Sequence, residues 1–142
     1  MVPKFRAWDK ENDRMIYPST EGVCFELDDD GINILDVSGD YPEDHTFPAI
    51  DSVLMQSTGL KDKNGVEIFE GDLVKVSVDN GFDYLFEELS IVKPSKFHSG
   101  LVCSLKSHEA EYRIIHAEIL GYEYEVVGNI YENPELLEQA NA

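Results

Sequence analysis

The sequence predicts a mainly β fold, made of antiparallel hairpins with a small barrel-like (SH3-like) portion and one or two short helices. Short segments of alternating apolar and polar residues recur along the 142 residues, and Gly-containing turn pairs, including Asn-Gly and Asp-Gly, separate them. The composition, 42% hydrophobic and 28% charged, is close to the globular average, and a chain of this length can bury a real core.

The N-terminal third contains four predicted strands. KFRAWD (4–9) and RMIYP (14–18) form a first hairpin across a polar turn. GVCFEL and INILDV form a second, and they meet at DDDG, where Gly31 can take a positive φ. Residues 38–49 contain two prolines and a glycine, so we predict a loop.

The central segment predicts two turns and a buried strand. Residues 49–58 fit either a strand or one helical turn. Asn64-Gly65 is a strong hairpin signal, and Glu70–Asp72 predicts a second turn, which Asp72 is expected to cap. The strand that follows places its three valines on one face, which we expect to be buried: Val74, Val76 and Val78.

Residues 79–125 are harder to assign. DYLFEEL (83–89) fits a short helix or a strand, and residues 90–100 are expected to loop because they contain Pro94 and Gly100. In EYRIIHAEIL (111–120) the apolar spacing fits a helix, whereas the β-branched residues fit a strand.

The C-terminal part predicts a strand followed by a helical turn. YEYEVVGNIY (122–131) alternates as a half-exposed strand does. Asn133 is expected at the helix N-cap and Pro134 at the first helical position, with Glu135 favouring the positive helix start.

The domain organisation follows from length. We expect a single domain, 1–142, with an N-terminal hairpin region at 1–52 and a barrel-like region at 53–137. The chain contains no apolar run of about 18 residues, and its first residues are charged where a signal peptide would be apolar. A cytoplasmic protein that does not enter the membrane is expected.

The charge balance narrows the classes of partner. The chain carries 29 acidic and 11 basic residues, a net charge of −18, and residues 15–60 contain neither Lys nor Arg. Such a surface repels phosphate, so direct nucleic-acid binding is disfavoured. The acids either keep the protein soluble or form an acidic face for a basic protein.

Three groups of residues in the sequence are candidates for a metal site or an acid–base site. Glu26, Asp28 and Asp30 match the first positions of a calcium loop, but Val37 stands where the bidentate Glu is required, so an acidic hairpin tip is favoured. The acids of GLKDKNGVEIFEGD could converge as a general acid and base, yet their spacing does not demand it. The histidines lack zinc spacing: His45, His98, His108 and His116. We therefore expect no catalytic residue, cofactor or metal.

The thiols and the aromatic residues have structural interpretations. Cys24 and Cys103 sit among apolar neighbours, which predicts two buried free thiols. Phe5, Trp8 and Tyr17 could line a ligand surface but more often belong to a core. The remaining hypothesis is an oligomer contact through three tyrosines, Tyr122, Tyr124 and Tyr131.

Three segments together resemble the YopX-like family of phage and prophage proteins. They are KFRAWDKENDRMIY, VLMQSTGLKDKNGVEIFEGDLVKV and EVVGNIYENPELL, and the stretch between Asp79 and Glu123 departs most from the family pattern. The resemblance implies a largely β fold with a barrel-like portion and no assigned enzymatic activity. It supplies no catalytic residue to carry over. The matching residues that we expect to be structural are Trp8, Gly59, Asn64, Gly65, Glu70, Gly71, Asp72, Gly128, Asn129, Tyr131, Asn133 and Pro134.

The expected function is therefore that of a non-enzymatic phage or prophage accessory protein that binds another protein in the host bacterial cytoplasm. Its partner would be a basic host or phage protein, and a homo-oligomer is a further option. Two alternatives stay open: an acidic DNA mimic that inhibits a nucleic-acid-binding host protein, and a carboxylate-based, metal-dependent enzyme.

Overall fold

The computed structural model describes residues 4–39, 47–107, 110–114 and 121–140, which contain eleven strands and one short helix. The strands are β1 Phe5–Asp9, β2 Arg14–Ile16, β3 Val23–Asp28, β4 Gly31–Asp36, β5 Ser52–Lys61, β6 Glu67–Phe69, β7 Asp72–Asp79, β8 Tyr84–Pro94, β9 Leu101–Leu105, β10 Glu111–Arg113 and β11 Tyr122–Asn129. The helix, α1, is Glu135–Ala140.

The predicted fold class is confirmed, because the chain is mainly β and its paired strands run antiparallel. The chain divides into two compact units, one from Lys4 to Met55 and one from Gln56 onward. The boundary falls inside β5, so this strand contributes residues to both units.

The first unit contains the two predicted hairpins. β1 pairs with β2, with Trp8 opposite Met15, and β3 pairs with β4. Its core is small and aliphatic, formed by Ala7, Ile16, Val23 and Ile34. At the β3–β4 tip, the Asp28 carboxylate accepts hydrogen bonds from the backbone N–H of Asp30 and the side chain of Asn33. The tip acids thus close their own turn, as Asp residues commonly do.

The second unit is built on a five-stranded sheet in the order β10-β9-β8-β7-β11, which curls into a half-barrel. The predicted valine face lies inside it, since Val74, Val76 and Val78 are at most 1% exposed. Val74 and Val76 pack with Ile68, Val92, Cys103 and Tyr124 in one core cluster. Leu73, on the other face of β7, is buried as well.

Tyrosines connect the two outer strands of the curled sheet. The rings of Tyr112 on β10 and Tyr122 on β11 lie 6.4 Å apart, and Tyr122 stacks on Tyr124 at 6.3 Å. The Tyr124 hydroxyl donates a hydrogen bond of 2.8 Å to the backbone carbonyl of Arg113. Because Tyr124 is 1% exposed, the proposed oligomer contact through this residue is wrong. A large amphipathic ring with a satisfied hydroxyl suits this closing position.

The structure settles several ambiguous segments as strands. Residues 84–89 begin β8, and residues 52–58 belong to β5. The loop predicted for 90–100 is wrong over residues 90–94, because Pro94 ends β8 and does not interrupt it. Residues 111–113 form β10.

Other predictions fall partly or wholly outside the described residues. These include most of the 38–49 loop, residues 115–120 of the helix-or-strand segment, and His45, His108 and His116.

The thiol prediction is half right. Cys103 is buried, and its burial raises the pKa to about 11 despite a hydrogen bond with Ser90. Cys24, in contrast, is exposed, because it alternates with buried Val23 along β3 and so lies on the other face of the two-stranded hairpin.

Within the described residues, the helix is far too short to cross a membrane.

Candidate functional site

The Asn64-Gly65 turn is organised by the carboxylate of Asp62, which is 7% exposed. Its Oδ1 accepts hydrogen bonds from the backbone N–H groups of Asn64 (2.9 Å) and Val66 (2.8 Å). Its Oδ2 accepts a third, of 2.9 Å, from Val126 on β11. Gly65 has a φ of 81°, which favours glycine. The turn therefore joins the β5–β6 connection to β11.

A second motif glycine, Gly59, lies at an irregularity within β5. The β5–β6 register shifts between Ser57 and Lys61, and Gly59 has a φ of 80°. The backbone N–H of Gly59 donates 3.0 Å to Ser57 Oγ, so the bulge satisfies a donor locally.

The Glu70–Asp72 turn joins β6 to β7 and is held from three sides. Asp72 Oδ2 accepts a 2.7 Å hydrogen bond from the N–H of Phe69, which closes the turn as expected for this residue. Gly71 has a φ of 87°, and its N–H donates to the carbonyl of Val92. The N–H of Glu70 donates to the carbonyl of Gln56.

The segment Gly128–Pro134 forms the turn that follows β11. Asn129 Oδ1 accepts hydrogen bonds from the N–H groups of Tyr131 (3.0 Å) and Glu132 (2.8 Å). Asn133 does not cap the helix with its side chain, so that prediction is wrong. Its Oδ1 instead accepts a 3.1 Å hydrogen bond from the N–H of Asn129.

The two turns are joined, and the packing at Gly128 is tight. The N–H of Ile130 donates 3.0 Å to the carbonyl of Gly71. A Cβ on Gly128 would lie 2.4 Å from Asn133 Oδ1, so any other residue would displace the asparagine. The half-buried Tyr131 and the exposed Pro134 complete this segment.

In the first unit, the motif residue Trp8 is half-buried and precedes a carboxylate that closes the β1–β2 turn. Asp9, 0% exposed, accepts hydrogen bonds from the backbone N–H groups of Glu11 and Asn12, from Asn12 Nδ2, and from Arg14 Nε at 3.1 Å. Burial alone would raise its pKa, but the hydrogen bonds from Asn12, Arg14 and Glu11 outweigh burial and lower the pKa below its usual value.

The carboxylates of Asp9, Asp62 and Asp72 are thus engaged in closing turns. Among the described residues, no group of three or more His, Cys, Asp or Glu side chains is placed to hold a metal ion. Two acids of GLKDKNGVEIFEGD close turns: Asp62 accepts hydrogen bonds from the N–H groups of Asn64 and Val66, and Asp72 accepts one from the N–H of Phe69.

Three exposed aromatic side chains of the second unit lie together, away from the motif turns. The β7–β8 hairpin, residues 79–88, presents Phe82, Tyr84 and Phe86, which are 96%, 71% and 68% exposed. We call these three side chains the aromatic hairpin. Leu85, between two of them, packs on the core, as strand alternation requires. Exposed aromatic residues concentrated on one element mark interaction surfaces in soluble proteins.

A β-bulge shapes this hairpin. Val76 pairs with Glu88 and Val78 pairs with Leu85, so Phe86 and Glu87 together face the single residue Ser77. Glu87 adopts a φ of 47°, an uncommon conformation for a residue other than glycine, and its N–H donates 2.9 Å to Ser77 Oγ. Bulges re-aim side chains, and strained backbone often accompanies a functional surface.

The comparisons with known proteins decide the family. The profile of the YopX protein family matches residues 4–138. The chain belongs to the YopX family.

Solved structures agree with this membership. The crystal structure of protein EF1440 from Enterococcus faecalis is 30% identical, with a TM-score of 0.61, over 96% of this chain and 99% of that one. The crystal structure of protein yopX from Bacillus subtilis is 19% identical, with a TM-score of 0.53, over 93% of this chain and 95% of that one. No curated protein matches the chain.

Within this YopX chain, the family motifs and the aromatic hairpin occupy different places. Most motif residues lie in turns, with Trp8 in β1 and Gly59 at the irregularity of β5, whereas the hairpin lies between the central and the C-terminal motif segments. Sequence reasoning missed the hairpin because DYLFEEL was ambiguous between helix and strand. The available signal was the alternation of Phe82, Tyr84 and Phe86 beside the turn residues Asn80 and Gly81.

Proposed function

We propose that this YopX protein is a non-enzymatic, phage- or prophage-encoded accessory protein that binds a basic protein of the bacterial cytoplasm through the aromatic hairpin. The observation that carries the proposal is the exposure of Phe82, Tyr84 and Phe86, each at least 68%, on one hairpin. Exposed aromatic side chains are enriched at protein interfaces because each buries a large area at a low entropic cost.

The charge around the aromatic hairpin supports a basic partner. Residues 79–88 contain Asp79, Asp83, Glu87 and Glu88 and lack Lys and Arg. The whole chain, these four acids included, has a net charge of −18. A partner with lysines and arginines around an apolar centre would gain favourable encounter electrostatics and would bury the three rings.

The size of the nearby concavity favours a protein over a small molecule. The cleft beside Phe86 and Glu87 measures about 100 Å³, below the roughly 300 Å³ at which ligand pockets begin. Part of its lining is already occupied by an ion pair, because Lys63 Nζ lies 3.0 Å from Glu125 and 3.5 Å from Glu123.

The test is capture from the lysate of phage-infected host cells, with the wild-type chain and two variants as bait. The hairpin variant is Phe82→Ser/Tyr84→Ser/Phe86→Ser. The control is Phe97→Ser, since Phe97 is 81% exposed but lies in the β8–β9 loop. We expect the wild type and the control to retain the same basic protein at low salt, and the hairpin variant to lose it. Addition of salt should weaken this capture.

Three results would overturn the proposal. The first is equal capture by the wild type and the hairpin variant. The second is a wild-type dimer in light scattering that the hairpin substitutions convert to a monomer, because the aromatic hairpin would then bind a second copy. The third is retention by the hairpin variant of a captured protein that DNA displaces, which would support the DNA-mimic alternative.

A further inference from the structure

Three lysines share one concavity on the second unit, although the chain as a whole is strongly acidic. Lys93, Lys96 and Lys106 line a cavity of about 300 Å³ together with Ile91, Ser104, Leu105 and Ser107. Three of the chain's 11 basic residues are therefore gathered around a space within the size range of small-molecule sites.

Strand register places two of the lysines on the same side of the sheet. On β8, Ile91 is paired with Ser104 of β9, and opposite residues of an antiparallel pair project to the same side. Lys93, on β8, and Lys106, the residue after β9, each lie two residues from this pair, so alternation places both on the same side.

Because the strands are antiparallel, the two lysines flank the pair from opposite ends: Lys93 is opposite Val102, and the Lys106 N–H donates to the Leu89 carbonyl. Lys96 comes from the adjoining β8–β9 loop.

None of the three ammonium groups forms an ion pair with another residue that the structure describes. Among those residues, ion pairs instead engage Lys10, Arg14 and Lys63. In a chain with 29 acidic residues, three lysines around one concavity are a local concentration of positive charge.

Two carboxylates lie near the concavity, and both bind other donors. Glu111 accepts 2.7 Å hydrogen bonds from the backbone N–H of Lys96 and from Ser95 Oγ. These contacts fix the loop that carries Lys96. The hydrogen bonds from the Lys96 N–H and from Ser95, together with the nearby charges of His98 and Lys96, lower the pKa of Glu111. Glu88 accepts a 3.1 Å hydrogen bond from Ser107 Oγ.

We infer that this concavity, the lysine concavity, binds the phosphate groups of a small phosphorylated molecule. Three ammonium groups supply the charge, and the hydroxyl of Ser104 supplies a further donor for phosphate oxygens. The surrounding acidic surface repels long polyanions, which limits the ligand to a compact anion. Phe97, 81% exposed and next to Lys96, is available to stack on a base if the phosphates belong to a nucleotide.

Calorimetric titration of the full chain with inorganic pyrophosphate tests the inference. The site variant is Lys93→Gln/Lys106→Gln, and the matched control is Lys10→Gln/Lys61→Gln, which removes the same charge from exposed positions elsewhere. We expect the wild type and the control to bind with a dissociation constant of about 1 mM or tighter. The site variant should bind about tenfold more weakly. In nuclear magnetic resonance spectra, the backbone amides of Lys93, Ser104 and Lys106 should shift on titration.

The source of the phosphate is distinguished by a second titration with ATP. A nucleotide ligand is identified if the wild type binds ATP more tightly than pyrophosphate, and if Phe97→Ala removes this advantage of ATP but keeps the affinity for pyrophosphate. Equal binding, unaffected by Phe97→Ala, would identify inorganic phosphate groups. The inference is overturned if neither compound binds the wild type at millimolar concentration, or if the site variant and the control bind pyrophosphate equally.

Discussion

The motif turns and the aromatic hairpin belong to the same unit but use their side chains in opposite ways. At the motif turns, polar side chains form hydrogen bonds within the protein: the carboxylate of Asp62 alone accepts hydrogen bonds from three backbone N–H groups, one of them on β11. On the hairpin, Phe82, Tyr84 and Phe86 are turned outward and leave most of their surface in water.

The residues that specify the fold are therefore different from the residues that are available for binding. The most recognisable residues of the sequence hold turns. Asp62 links its turn to Val126 on β11, and the hydrogen bond from Ile130 to Gly71 joins the Glu70–Asp72 turn to the turn after β11. The aromatic hairpin requires none of those contacts. Substitutions in the two regions should therefore have different consequences.

The largest effect on stability is expected from Asp62→Ala. The change removes a buried carboxylate that accepts hydrogen bonds from three backbone N–H groups, so we expect a loss of about 3 kcal/mol in the free energy of unfolding. Urea denaturation measures it. Asp83→Ala, which removes an exposed carboxylate from the hairpin, is the control and should change stability by no more than about 0.5 kcal/mol. Equal losses in the two variants would contradict the contrast.

A smaller loss is expected from Gly71→Val. Gly71 has a φ of 87°, which a β-branched residue adopts only with strain, and we expect a cost of about 2 kcal/mol. Thermal unfolding measures the change. Gly71→Asn should cost less, because Asn tolerates the left-handed region. An unchanged melting temperature in the valine variant would show that the turn does not constrain this residue.

The turn at Asp9 predicts a dependence on pH. Because the folded-state pKa of Asp9 lies below its unfolded value of about 3.9, the carboxylate stabilises the fold above that value. This contribution is lost as the pH falls through the folded-state pKa. At neutral pH Asp9→Asn should lower the free energy of unfolding by about 1 to 2 kcal/mol, because a neutral amide replaces the charged carboxylate that accepts the hydrogen bonds of this turn.

The difference between the wild type and Asp9→Asn should shrink below about pH 4. Denaturation at a series of pH values measures it. A difference that stays constant from neutral to acidic pH would mean that the charge of Asp9 does not contribute.

Much of the fold could be predicted because local patterns were sufficient. Gly and Asp placed the turns at Gly31, Gly65 and Gly71, and alternation placed the valines of β7 in the core. Local patterns failed where tertiary contacts decided. The local sequence predicts that Asn133 caps the helix, but its Oδ1 accepts a 3.1 Å hydrogen bond from the N–H of Asn129. The alternation predicts that Tyr124 is half-exposed, but its hydroxyl donates to a backbone carbonyl of β10.

The candidate site was less predictable for the same reason. An apolar residue on a strand is buried or exposed according to what covers it, and the sequence of residues 79–88 does not contain that information. The lysine concavity likewise depends on the β8–β9 register, which pairs Ile91 with Ser104.

The smallest effect on stability is expected from the hairpin variant, Phe82→Ser/Tyr84→Ser/Phe86→Ser. The three rings are already largely in water, so the free energy of unfolding should change by no more than about 0.5 kcal/mol. Urea denaturation beside Asp62→Ala measures this. A loss as large as that of Asp62→Ala would show that the rings belong to the fold.

The most direct test of the central claim is the affinity of the captured basic protein for the wild type and for the hairpin variant. The account predicts that the hairpin variant, still folded, binds at least about tenfold more weakly, because interface aromatic residues commonly contribute more than 1 kcal/mol each. Equal affinity of the two chains would contradict the assignment of binding to the aromatic hairpin.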